Sequence, residues 1–133
     1  MFSYETSVRL HSTDAAGLLF YGSIFTMMHD AFEEFLAANG LEIARIFKEK
    51  AYYLSIVHAE ADYRKRQSVG EKVVINVGCE TIGDHSFTLL YTILNGDGKT
   101  AGTAKTVHVV VDRKTQKKTV IPPNLLQILR SSQ

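Results

Sequence analysis

Asp14 is the side chain in this sequence best placed to do chemistry. It stands in Ser12-Thr13-Asp14-Ala15-Ala16-Gly17, a run of small and polar residues between an alternating stretch and an apolar one. Loops of this kind are where a rigid scaffold presents functional groups, although aspartate is also a common turn residue. A presented carboxylate can attack an activated carbonyl carbon, or take a proton from a water that does so. Such a reaction also needs N–H donors for the oxyanion that develops on the carbonyl oxygen. Tyr21 and Gly22 follow at the place where a helix is expected to begin. A helix N-terminus offers free N–H groups and the positive end of the dipole. Gly17 lets the intervening loop turn sharply or a substrate approach its backbone.

Other polar residues compete for a role. Glu33 and Glu34 fall on the expected helix, where the bland reading is its solvated edge. His29 precedes Glu33 by four, an ordinary contact on a helix surface. His58 alternates with Glu60 and Asp62 on the polar face of a strand, where it could position an aromatic substrate or a water, or be structural. His11 is undecided in the same way. No His-Glu-x-x-His or other zinc spacing occurs, so no metal is expected. Arg64-Lys65-Arg66 is one basic cluster, and Lys105, Arg113, Lys114, Lys117 and Lys118 make a second basic region. These side chains suit phosphate, or are solubilising charge. Gly96-x-Gly98 sits in a hairpin and opens no helix, so it is not a phosphate loop.

The elements that must position these groups follow from periodicity. Residues 4–11 read as a strand. Ser23 is a plausible N-cap for a helix over 23–38, with Ile24, Met28, Ala31 and Phe35 on one stripe and Asn39-Gly40 as the stop signal. A second helix is expected over 41–49. From residue 52 the period becomes two. Tyr53, Val57, Ala59, Ala61 and Tyr63 are expected to point one way, with His58, Glu60, Asp62 and Arg64 opposite. Further strands run through Val73–Cys79, Phe87–Ile93 and Val107–Val111, joined by hairpin signals at Gly83-Asp84 and Asn95–Gly98. A last strand is expected near Lys118–Ile121, before Pro122-Pro123 and a terminal helical turn or two. The sum is an α+β layer architecture with one long helix against an antiparallel sheet. Leu90, Leu94 and Val110 are assigned to the sheet's other face, and that face or an edge strand is expected to pair with another subunit. A homo-oligomer is the expectation.

The chain has 133 residues, so one domain spanning 1–133 is expected. Fifteen Lys and Arg against fourteen Asp and Glu leave +1, which argues against a nucleic-acid or membrane-surface binder. The single cysteine, Cys79, excludes an intramolecular disulfide and suits a reducing compartment. No signal peptide or transmembrane run is visible, and the cytoplasm is the expected location.

The element order, together with Thr13-Asp14-Ala15-Ala16-Gly17-Leu18-Leu19-Phe20-Tyr21, resembles the hotdog-fold thioesterases of the 4-hydroxybenzoyl-CoA thioesterase family. Asp14-Ala15-Ala16-Gly17, His29-x-Ala31-Phe32-Glu33, Gly40-Leu41, Ile56-Val57-His58-Ala59 and Pro122-Pro123-x-Leu125 look like the 1,4-dihydroxy-2-naphthoyl-CoA hydrolases within it. The resemblance implies a hotdog fold, a long central helix wrapped by an antiparallel β-sheet, and hydrolysis of an aromatic acyl-CoA. Quinone biosynthesis is the implied setting. It implies Asp14 as nucleophile or general base, the Tyr21 main-chain N–H as oxyanion donor, and Gly17 in the catalytic loop. His58, Arg64, Lys65, His85 and Ser86 are the implied contacts to substrate and coenzyme A. No cofactor is implied, because coenzyme A belongs to the substrate. The site is expected between subunits of a dimer or dimer of dimers. Some members place a catalytic glutamate on the central helix, which keeps Glu33 and Glu34 in view. The chain departs from the pattern at Gln67, where the family often has proline, and at Gly70-Glu71, where it favours Gly-Asp. The rivals are a thioesterase for short or medium aliphatic acyl-CoA or acyl-carrier-protein substrates, and a non-catalytic module that binds an apolar ligand.

Overall fold

Helix α1 (Ser23–Ala38) lies against one face of a five-stranded antiparallel sheet. The computed structural model describes residues 2–133. Strands β1 (Phe2–Ser7), β2 (Tyr52–Tyr63), β3 (Lys72–Ile82), β4 (Ser86–Leu94) and β5 (Thr100–Asp112) take the order β1-β3-β4-β5-β2. Short helices α2 (Ile43–Glu49) and α3 (Pro123–Arg130) complete the chain. This is the expected α+β arrangement.

Helix α1 forms where the helical period says it should. Ile24, Met28, Ala31, Phe35 and Leu36 are buried, and Glu33 and Glu34 stay exposed. Each fully buried side chain of this size stabilises by about 1.5–3 kcal/mol, so this stripe anchors the sheet's inner face. The stop signal works as a Schellman motif. Leu41 N–H donates to Leu36 O and Gly40 N–H to Ala37 O, with Gly40 at φ +81°. Because Leu41 is spent on this cap, α2 begins at Ile43 rather than at 41.

Several expectations need correction. The first strand ends at Ser7, and a 3-10 turn over Leu10–Ser12 replaces its second half. Thr13 closes that turn through its hydroxyl and N–H, both donated to Leu10 O. Ser23 is the first helical residue and not the cap, which is Gly22 and supplies no side-chain hydrogen bond. On β2, alternation breaks at Val57, because Ile56 pairs with His108 and His58 with Val107. This bulge places Tyr53 on the outer face, while Ala59, Ala61 and Tyr63 turn inward. Val110 is fully buried on the inner face with His108 and Thr106, so Val107 and Val109 take outer positions, on the same face as Leu90 and Leu94. The region near Lys118–Ile121 is a single bridge from Lys118 to Val111, not a strand. Beyond the reach of β1, the edge of β3 is met by the chain's end, where Cys79 N–H donates to Ser132 O.

Candidate active site

The Asp14 loop is a small self-braced structure. Asp14 N–H donates to Leu18 O at 2.8 Å, and Gly17 N–H donates back to Asp14 O at 3.1 Å. The Asp14 carboxylate oxygen Oδ1 accepts from Ala16 N–H at 2.8 Å and Leu18 N–H at 3.2 Å. Its other oxygen meets no donor among the described residues. Gly17 has φ +74°, which is why glycine stands there; a Cβ would find space, its nearest neighbour being Val69 Cγ1 at 3.9 Å. The loop is tied to the chain beyond β2 through Leu19 N–H to Gln67 O and Val69 N–H to Gly17 O.

The loop leads into the start of α1. Phe20 N–H is engaged by Ser12 O and Ser23 N–H by Phe20 O. The N–H groups of Tyr21 and Gly22 have no acceptor among the described residues. With no side-chain cap on α1, this helix start presents free donors beside the Asp14 loop. Tyr63, from the end of β2, donates its hydroxyl to Tyr21 O and steadies this stretch. Burial raises the Tyr63 pKa, and the Tyr21 hydroxyl adds to the shift, so Tyr63 acts as a donor at neutral pH.

A cavity of about 280 Å³ opens here, lined by Asp14, Asp62, Tyr63, Arg64, Lys65 and Gln67 among others. The main-chain N–H groups of Arg64 and Lys65 both donate to Ala101 O, fixing the backbone while their side chains stay exposed. Among the described residues no carboxylate pairs with Arg64, Lys65 or Arg66, so this charge is free for an anion. Gln67 is only 4% exposed, and its side-chain amide nitrogen has no partner. The sequence marks Gln67 as a departure but carries no signal of this burial. Tyr63 was also missed, because its partner lies 42 residues away.

Sequence-derived candidates therefore separate into two groups. Asp14, Gly17, Tyr21, Arg64 and Lys65 come together. His58 lies on the outer face of β2, with Nε2 3.3 Å from Glu60 Oε2. His85 and Ser86 sit at the turn between β3 and β4, at the other end of the sheet. Ser86 pairs with Val109, seven residues along β5 from Gly102 at the cleft, or about 23 Å of strand. The second basic region also divides. Lys105 pairs with Glu80 at 2.8 Å, and Arg113 donates to the carbonyls of Lys50 and Ile46. His11, like Glu33 and Glu34, is exposed. Among the described residues no group of three or more His, Cys, Asp or Glu is placed to hold a metal ion, and no helix is long and apolar enough to cross a membrane.

Residues 8–129 match the model of the thioesterase-like superfamily. The chain is 30% identical to a 1,4-dihydroxy-2-naphthoyl-CoA hydrolase of Nostoc punctiforme over 98% of its length and 88% of that protein's. It is 29% identical to another of that name from Rippkaea orientalis, over 100% of this chain and 98% of the relative. The crystal structure of a 1,4-dihydroxy-2-naphthoyl-CoA thioesterase from Synechocystis superposes with a TM-score of 0.90 at 26% identity, covering 97% of this chain and 95% of that one.

Proposed function

The chain belongs to the thioesterase-like superfamily and has its hotdog fold, and from its likeness to 1,4-dihydroxy-2-naphthoyl-CoA hydrolases we propose that its substrate is an aromatic acyl-CoA, with 1,4-dihydroxy-2-naphthoyl-CoA the best single choice. The products are the free acid and coenzyme A. The enzyme is a thioester hydrolase. The setting that follows from the substrate is quinone biosynthesis, in the cytoplasm, where the lone Cys79 stays a thiol.

The observation that carries the proposal is the pairing of the Asp14 loop with the uncapped start of α1. The thioester carbonyl oxygen receives the Tyr21 N–H, and the negative charge that develops there meets the positive end of the helix. Asp14 attacks the carbonyl carbon or activates the water that does so. Its Oδ1 holds the loop, which leaves the other oxygen for the reaction. Gly17 permits the turn. Arg64 and Lys65 receive phosphate groups of coenzyme A. His58, His85 and Ser86, which lie outside this cleft, contact a substrate held by a neighbouring subunit. No bound cofactor takes part.

The proposal includes a homodimer or dimer of dimers. Strand β2 is a sheet edge of twelve residues, with Ile56 and Val57 43% and 60% exposed on it. An edge of that length presents unpaired backbone groups suited to a second copy. Light scattering on the wild type and on Val57→Lys checks this: the wild type should be oligomeric and the variant shifted toward monomer.

Thiol release from a panel of acyl-CoA esters tests the function, with Asp14→Asn alongside. Hydrolysis of 1,4-dihydroxy-2-naphthoyl-CoA well ahead of short-chain and long-chain esters, lost in the variant, supports the reading. Preference for aliphatic esters or for acyl-carrier-protein substrates replaces the acyl group and keeps the activity. Turnover of no thioester, with apolar ligands still bound, replaces it with a binding module. Near-normal turnover in Asp14→Asn removes Asp14 from the mechanism.

A further inference from the structure

A second cavity, of about 390 Å³, lies between α1 and the sheet, lined by Phe25, Met28, His29, Ile56, Tyr91 and Thr106 among others. It neighbours the Asp14 cleft. Ile24 lines one and Phe25 the other, and on β2 Ala59 and Asp62 are likewise divided. Three residues of strand span about 10 Å. Its walls are mostly apolar, as suits an acyl group.

The cavity also meets a buried polar chain. Tyr91 is 1% exposed, Thr106 5% and His108 1%. The Tyr91 hydroxyl lies 3.0 Å from Thr106 Oγ1, which lies 2.8 Å from His108 Nε2. His108 is stacked between Phe32 and Phe87, at centroid distances of 4.5 and 4.9 Å. Its Nδ1 is buried without a partner. Burial, with a smaller contribution from His29, pushes the imidazole pKa down to about 4, so the ring is neutral at pH 7.

A neutral ring carries one N–H. A proton on Nδ1 would be a buried donor with no acceptor, whereas on Nε2 it meets Thr106 Oγ1. With Nε2–H donating, the Thr106 hydroxyl donates onward to Tyr91, and the Tyr91 O–H is left over. Burial raises the phenol pKa to about 12, so it keeps that proton. An unspent O–H beside an apolar cavity wants an acceptor from whatever fills it.

We propose that this cavity is the acyl subsite and that Tyr91, oriented by Thr106 and His108, donates a hydrogen bond to an oxygen on the acyl ring, selecting an oxygenated aromatic acyl group over its bare counterpart. The proposal rests on the aromatic acyl-CoA reading above and adds the group that reads the ring. Tyr91 and Thr106 are specificity residues, and His108 is a positioning residue.

The test compares 1,4-dihydroxy-2-naphthoyl-CoA with 2-naphthoyl-CoA, the same ring system without hydroxyls. Tyr91→Phe should lower kcat/KM for the oxygenated ester about 10- to 100-fold and leave the bare ester within about 2-fold, with a melting temperature lowered by a few degrees because the buried Thr106 hydroxyl loses its acceptor. Thr106→Ser should retain the discrimination and Thr106→Val lose it. Equal losses on both esters, or none on the oxygenated one, overturn the proposal while leaving hydrolysis of aromatic thioesters intact. A wild type that hydrolyses neither ester overturns both readings.

Discussion

Two polar regions of this molecule solve opposite problems. Around Asp14, backbone N–H groups grip a carboxylate on an exposed loop. Around His108, hydroxyls and an imidazole meet in the core, where burial keeps the ring neutral. The first arrangement keeps an acid near water, where it can attack or accept a proton. The second gives up charge and leaves a directed hydrogen bond at the wall of an apolar cavity. Solvent access decides which kind of chemistry each region can offer.

The sharpest way to break that contrast is Asp14→Asn. The amide oxygen can still accept from Ala16 and Leu18, so the loop should hold, while turnover falls by about 10³-fold. A matching loss of stability, seen in chemical denaturation, would make Asp14 a brace rather than a reactant.

The His108 region predicts an acid-sensitive core. The unfolded imidazole takes up a proton below its ordinary 6.5, whereas the folded ring does so only near 4. Stability present above pH 6.5 is therefore lost as pH falls toward 4, by about 3 kcal/mol. In His108→Gln that component should vanish, so urea midpoints of wild type and variant should converge across this window. Parallel curves would show that the ring does not titrate as described.

Gly17→Ala tests the loop itself. A non-glycine residue at φ +74° costs about 1–2 kcal/mol, and kcat should fall with the displaced carboxylate. Smaller still is Tyr63→Phe, which removes the bond to Tyr21 O. A net hydrogen bond is worth about 1 kcal/mol, so a loss of turnover of about fivefold, with KM little changed, is expected. An unchanged kcat would detach Tyr63 from the helix start.

The Asp14 region was legible in the sequence because its bracing runs over a few residues. Small residues, a glycine and a following helical period describe the turn from Asp14 to Leu18 and the helix after it, whereas the ties from Tyr63, Gln67 and Val69 come from far along the chain and left no local mark. The α1 stop was legible for the same reason, since Gly40 and Leu41 cap the turn just before them. The Tyr91–Thr106–His108 chain was not, because it exists only through the register that sets Phe87 opposite His108 and Leu89 opposite Thr106. The faces of β2 were misread for a related reason: a bulge is a property of two strands, and one strand's pattern does not announce it. Gln67 announced itself as unusual, but its burial depends on the loop folded beside it.

That bulge bears on how β2 can change length. A single-residue deletion elsewhere in the strand would turn the side chains between the gap and the bulge to the opposite face. Loss of Val57 instead leaves Ile56 opposite His108 and His58 opposite Val107, now as neighbours in an unbroken ladder. Tyr63 would still face inward toward the helix start. Val57 is thus the expansion joint of the strand, the place where the sequence can lose a residue without rewriting which side chains meet the chemistry.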